Sequence, residues 1–308
     1  MKTSMRTLFL AAVCSMFSAS LAAATKPEIR TEDVTRFYAL YDATGGRPSV
    51  EQLDAYLAEG SPSLKEFAQL RRVTGERIAR QIEADPAMYE NARQCLDVLP
   101  AVERRLATAL ASLSDLYPGA DYPPVAIVVG RGRPVGIVNP SGATIGLEAL
   151  CAADFMNPDP EDRFVYVVAH EYVHTQQAMA RDQPEPGDPR ATVLRMSLVE
   201  GAAEFVSELV SGGVGNARHA EWTRGRELEI ESDFLADMQG TDLGPWMFNY
   251  HPGSDEPYDL GYWVGYRIVK AYYTQADDKR AALARIIDME DPEAFLRESG
   301  WRPGMSLP

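Results

Sequence analysis

Phe164-Val165-Tyr166-Val167-Val168-Ala169-His170-Glu171-Tyr172-Val173-His174 is the stretch from which the rest of the chain can be read. Residues 164–169 form the apolar run expected of a buried helix, and a spacing of four puts His170 and His174 on one helical face, one turn apart. Two imidazoles so placed can grip one metal ion. Glu171, beside the first histidine, then stands next to the ion without binding it, placed to take a proton from water that the metal activates. The competing reading is a histidine pair satisfied by hydrogen bonds alone. Burying both rings in so apolar a helix without a partner is costly.

A catalytic zinc needs a third protein ligand and one position left for solvent. The remaining histidines, His219 and His251, do not fit the compact spacing of a third ligand, which argues for a carboxylate. Glu200 is the candidate, in Val199-Glu200-Gly201-Ala202-Ala203-Glu204-Phe205 on a later helix. Gly201 and Ala202 would leave room there for the helix bearing the histidines. Glu204, one turn on, shares the face of Glu200 and could accept the far N–H of a ligating histidine. Glu208 continues the stripe toward the surface. A solvated acidic face is the alternative, but Leu198, Val199, Ala202, Ala203, Phe205 and Val206 around the pair are apolar. For an oxyanion donor the sequence offers Tyr258, Tyr262 and Tyr266, every four residues around Gly261 and Gly265. Tyr262 and Tyr266 are the candidates, with a plain core stripe as the alternative and His251 as a rival.

These motifs resemble the gluzincin clan of zinc metallopeptidases, in which a His-Glu-x-x-His helix and a later Glu-x-x-x-Asp/Glu helix supply the site. More narrowly, His170-Glu171-Tyr172-Val173-His174, Glu200-Gly201-Ala202-Ala203-Glu204 and Gly261-Tyr262-Trp263-Val264-Gly265-Tyr266 resemble a bacterial group of predicted zinc-dependent proteases, domain of unknown function 2268. The resemblance spans roughly residues 125–275. It implies a zincin-like catalytic core, one Zn2+ per chain on His170, His174 and Glu200, Glu171 as general base, and a peptide or protein substrate. Glutamate at 204, where many gluzincins carry aspartate, is a departure. Another zinc amide hydrolase acting on cell-wall peptide, or a non-catalytic metal-containing binding protein, are the alternative functions; an intact Glu171 argues against the latter.

Outward from the motifs, the 308 residues have ordinary globular composition, with 45 acidic against 30 basic residues and a formal charge of −15. No basic block offsets that charge, so nucleic acid and anionic lipid surfaces are unfavourable partners. Residues 1–24 read as an export signal: Lys2 and Arg6, an apolar stretch from Leu8 to Phe17, then Ala22-Ala23-Ala24. The chain is therefore expected to be periplasmic or secreted, without stable membrane insertion after cleavage and without acylation at Cys14. In an oxidising compartment Cys95 and Cys151 either bridge or stay as two buried thiols.

The predicted fold class is α+β and mostly helical. Residues 25–120 form an N-terminal helical region, including one long helix from Pro86 to Leu116. Residues 121–308 form the metallopeptidase domain, with a small sheet from Val125–Val129, Val135–Val138 and Ala143–Leu147. The last of these strands is the candidate edge for a bound peptide, and Glu148 after it is expected to be exposed.

Overall fold

The computed structural model describes residues 28–153, 156–182, 184, 187–215, 217–251 and 257–308. The export signal expected at residues 1–24, with Cys14, lies outside the described residues. The chain begins with β1 (Ile29–Arg30), then α1 (Glu32–Ala43), α2 (Val50–Ala58), α3 (Pro62–Arg71), α4 (Gly75–Ala84), α5 (Pro86–Ala92) and α6 (Leu99–Leu116). Three strands follow, β2 (Val125–Val128), β3 (Gly136–Asn139) and β4 (Gly142–Gly146). The rest is helical: α7 (Leu147–Cys151), α8 (Pro160–Gln176), α9 (Ala178–Arg181), α10 (Val193–Ser211), α11 (Ala217–Thr223), α12 (Glu227–Asp237), α13 (Leu260–Gln275), α14 (Lys279–Ile287) and α15 (Pro292–Glu298). The α+β class is as predicted from the sequence. Among the described residues no helix is long and apolar enough to cross a membrane.

The sheet order is β1-β2-β4-β3, with β1 parallel to β2, β2 parallel to β4, and β3 antiparallel to β4 in the register Gly136↔Ile145 to Asn139↔Gly142. This corrects the expected edge. The 142–146 strand is interior, and among the described residues β1 and β3 are the edge strands, of which β3 lines the cleft that holds His170 and His174. Glu148 is corrected as well. It is 1% exposed, and its Oε1 accepts from the backbone N–H of Gly130 (3.0 Å) and Gly132 (2.9 Å), which fixes the loop between β2 and β3. The single helix expected over 86–116 is broken by a 3-10 turn at Arg93–Leu96 before α6 restarts with Pro100 in its first turn. Cys95 and Cys151 are bridged, joining that turn to the end of α7.

Two apolar cores share α8. Phe164, Val165, Val167, Val168 and Tyr172 pack with the N-terminal helices and the sheet. Val173 belongs to a second core with α10, α13, α14 and α15. The cores therefore do not divide at residue 120: β1 and the N-terminal helices complete the first one. Helix α8 starts where Asp159 caps the backbone N–H groups of Glu161 (2.8 Å) and Asp162 (3.2 Å) with Pro160 next. Helix α10 starts at Thr192, which caps Arg195 N (3.2 Å), and ends at Gly212 in the left-handed conformation.

Candidate metal centre

Helices α8 and α10 pack against each other, and α10 packs on α13. The α10–α13 contact is unusually close. A Cβ added at Gly201 would fall within 3.0 Å of Gly265 C and Tyr266 N, so the two helices meet backbone to backbone. Gly201 thus makes room for α13 rather than, as expected, for the histidine helix. With that side of α10 turned to α13, its Glu200 and Glu204 face α8.

Three donor atoms converge there. His170 Nε2 lies 3.0 Å from His174 Nε2, and Glu200 Oε2 lies 3.3 Å from each. Tetrahedral zinc with bonds of about 2.0–2.1 Å separates its ligand atoms by about 3.3 Å, so the triangle has the size that one such ion requires. His170, His174 and Glu200 are the group of metal-ligating residues found among the described ones. Their electrostatics agree. Burial works against charge on both partners, yet Glu200 raises His174 to about 9 while the two imidazoles hold Glu200 below the usual carboxylate range. The cluster therefore attracts positive charge.

The neighbouring groups orient the imidazoles. His174 Nδ1 meets Gln177 Oε1 at 2.7 Å, and the amide of Gln177 donates to Val199 O (2.8 Å), tying the histidine to α10. His170 Nδ1 lies 3.4 Å from Glu204 Oε1. Glu204 also faces the buried phenol of Tyr166, and its own burial raises its carboxyl above the usual range. Gln177 and Tyr166 are absent from the sequence-based set. Tyr166 left a signal, standing four residues before His170 as His174 stands four after it.

Glu171 is 8% exposed, and burial pushes its carboxyl up, opposed by His174 and His170. Gly136 at the start of β3 gives it space, since a Cβ there would lie 2.6 Å from Glu171 Oε1. Glu171, the three candidate ligands and β3 all line one cleft of about 1190 Å3. Tyr262 lines it too, and its burial, with Glu200 nearby, keeps the phenol protonated. Tyr266 is not brought there. Its hydroxyl accepts from Lys270 Nζ (3.1 Å) and faces Glu208. Tyr258 and His219 line the cleft, whereas the rival His251 is exposed and does not.

No curated protein and no solved structure matches this chain. A family model does match: residues 150–292, which hold α8, α10 and α13, are similar to the family described as "Predicted Zn-dependent protease (DUF2268)", the one that the three motifs resemble.

Proposed function

We propose that the protein is an exported, single-zinc peptidase. The observation that carries this reading is the triangle of His170 Nε2, His174 Nε2 and Glu200 Oε2, open to a cleft with a buried carboxylate, Glu171, beside it. A bound divalent cation supplies Lewis-acid activation of water and of a carbonyl. The chain's own residues do the rest. Glu171 takes the proton of the attacking water and returns it to the leaving amine. Tyr262 offers a neutral O–H toward the developing oxyanion. Strand β3, hydrogen-bonded to β4 on one side only, offers its other side to an extended peptide as a further strand. Gln177 holds the His174 imidazole by a hydrogen bond, and Glu204, 3.4 Å from the otherwise unpartnered Nδ1 of His170, is placed to accept that N–H, so the ligand nitrogens point at one place.

The test pairs metal content with hydrolysis of a mixed peptide library by the wild type and Glu171→Gln. Zinc retained at one per chain with hydrolysis lost in the variant is the expected result. Equal hydrolysis by both proteins, or no hydrolysis by zinc-loaded wild type, would contradict the assignment.

A further inference from the structure

The chain has 45 acidic and 30 basic residues, yet its cleft is lined by Arg71, Arg133, Arg181 and Arg218. Two of these belong to a cluster on the β3 side. Arg71 ends α3, and Arg133 lies in the loop that leads into β3. Between them Arg131 donates from Nη2 to Arg71 O (3.1 Å), so the loop is latched to the end of α3. The Nε of Arg131 is buried without a partner, and after burial the charges of Arg133, Arg77 and Arg71 are what disfavour its own. Among the described residues, none of Arg71, Arg77, Arg131 and Arg133 pairs with a carboxylate.

Nearby acids are committed elsewhere. Glu148 Oε1 accepts from Gly130 and Gly132 beneath the loop, Glu66 Oε2 accepts from Ser141 N (3.0 Å), and Glu171 faces the histidines first and feels the Arg71 charge only after them. Arg71, Arg77 and Arg133 are exposed, so water and salt screen most of their mutual repulsion, and what points to an anion is the place of Arg71 and Arg133 at the cleft beside the buried, unpartnered Nε of Arg131. In a protein with so many carboxylates, leaving this group unpaired is informative. Resting on the peptidase reading, we propose that Arg71 and Arg133 grip a carboxylate of a peptide lying along β3, so that the cleft selects acidic peptides. Guanidinium forks suit a planar carboxylate. The net charge of −15 repels a polyanion such as nucleic acid, which leaves a peptide with one or two acidic groups. That carboxylate is either an internal Asp or Glu side chain or a free C-terminus.

Fluorescein-labelled, C-terminally amidated peptides that differ only in one Glu, Gln or Lys separate the cases, with binding to zinc-loaded Glu171→Gln read by anisotropy. The Glu peptide should bind at least about fivefold tighter than the Gln peptide, with a ratio that shrinks as salt rises. The ratio should fall to about one in Arg71→Gln/Arg133→Gln and return in Arg71→Lys/Arg133→Lys. A second arm compares free and amidated C-termini of the Gln peptide; the preference appearing there instead identifies the C-terminus as the group held. Glu, Gln and Lys peptides bound within about twofold of one another, with no effect of amidation, overturn the inference and leave the peptidase reading standing. Failure of every peptide to bind or be cut removes both.

Discussion

Gly201→Ala tests how the helices place the site without touching a ligand. The added Cβ would lie within 3.0 Å of Gly265 C and Tyr266 N, whereas carbon atoms rest at about 3.5–4.0 Å. Both obstacles are backbone, so no rotamer change relieves them, and α10 and α13 must part by roughly 1.5 Å. Overpacking of this kind costs about 1–3 kcal/mol, offset by about 1 kcal/mol from replacing a helical glycine. Because both obstacles are backbone the cost belongs at the upper end of that range, so the expected net loss is about 2 kcal/mol, or a fall in Tm of about 3 °C for a chain of 308 residues. Glu200 rides on α10, and its Oε2 is 3.3 Å from each imidazole nitrogen. A site that tolerates about 0.2 Å of misplacement should then lose roughly tenfold or more in zinc affinity. Calorimetry of the chelator-treated chain gives the first number and competition with a fluorescent chelator the second. A Tm within about 1 °C of wild type together with unchanged affinity would refute this account of the α10–α13 contact.

Other consequences can be checked in parallel. Glu200→Ala should release zinc, while Gln177→Ala and Glu204→Ala should each weaken it by about 10- to 100-fold in the same competition assay; tight binding by Glu200→Ala would show that the ligand was misassigned. Burial, aided by the nearby Arg218 charge, pushes His219 down to about 4, and its Nε2 donates to Tyr258 O at 2.8 Å. The unfolded chain gains that proton near pH 6.5 and the folded one does not, so stability falls as pH drops from about 6.5 to 4, by up to about 3 kcal/mol. Urea titrations of His219→Gln should lack that component, and an identical pH slope in both proteins would contradict it. Glu231, fully buried, pairs with Arg267 and accepts from Gly304 N (2.5 Å). Glu231→Ala strands that cation and should cost about 3–5 kcal/mol in thermal or denaturant unfolding; a loss below about 1 kcal/mol would mean that solvent already screens the pair.

What the sequence made legible was whatever a single helix fixes. A four-residue step puts His170 and His174 on one face whatever surrounds them, and two glutamates one turn apart in an apolar helix declare a polar task. Relations between elements were less visible. That β4 lies between β2 and β3 follows from a parallel β2–β4 pairing across an intervening strand, which no local pattern encodes. Glu148 is buried because it follows that interior strand and answers two loop N–H groups. Tyr262 and Tyr266 share a stripe, but one turn of helix is about 5.4 Å, enough to carry Tyr266 past the cleft to Glu208. Gln177 caps the end of α8, and nothing in the local sequence marks its amide as the partner of His174. The arginine cluster escaped a search for basic runs because α3 and the β2–β3 loop supply it from distant parts of the chain.

X-ray absorption on the zinc-loaded protein probes the donor set itself. The expected spectrum is one zinc per chain with two imidazole nitrogens and one carboxylate oxygen from the protein, completed by exchangeable solvent. A fourth protein ligand closing the shell, a sulfur ligand, or a chain that takes up no stoichiometric metal would contradict a site built for hydrolysis on His170, His174 and Glu200.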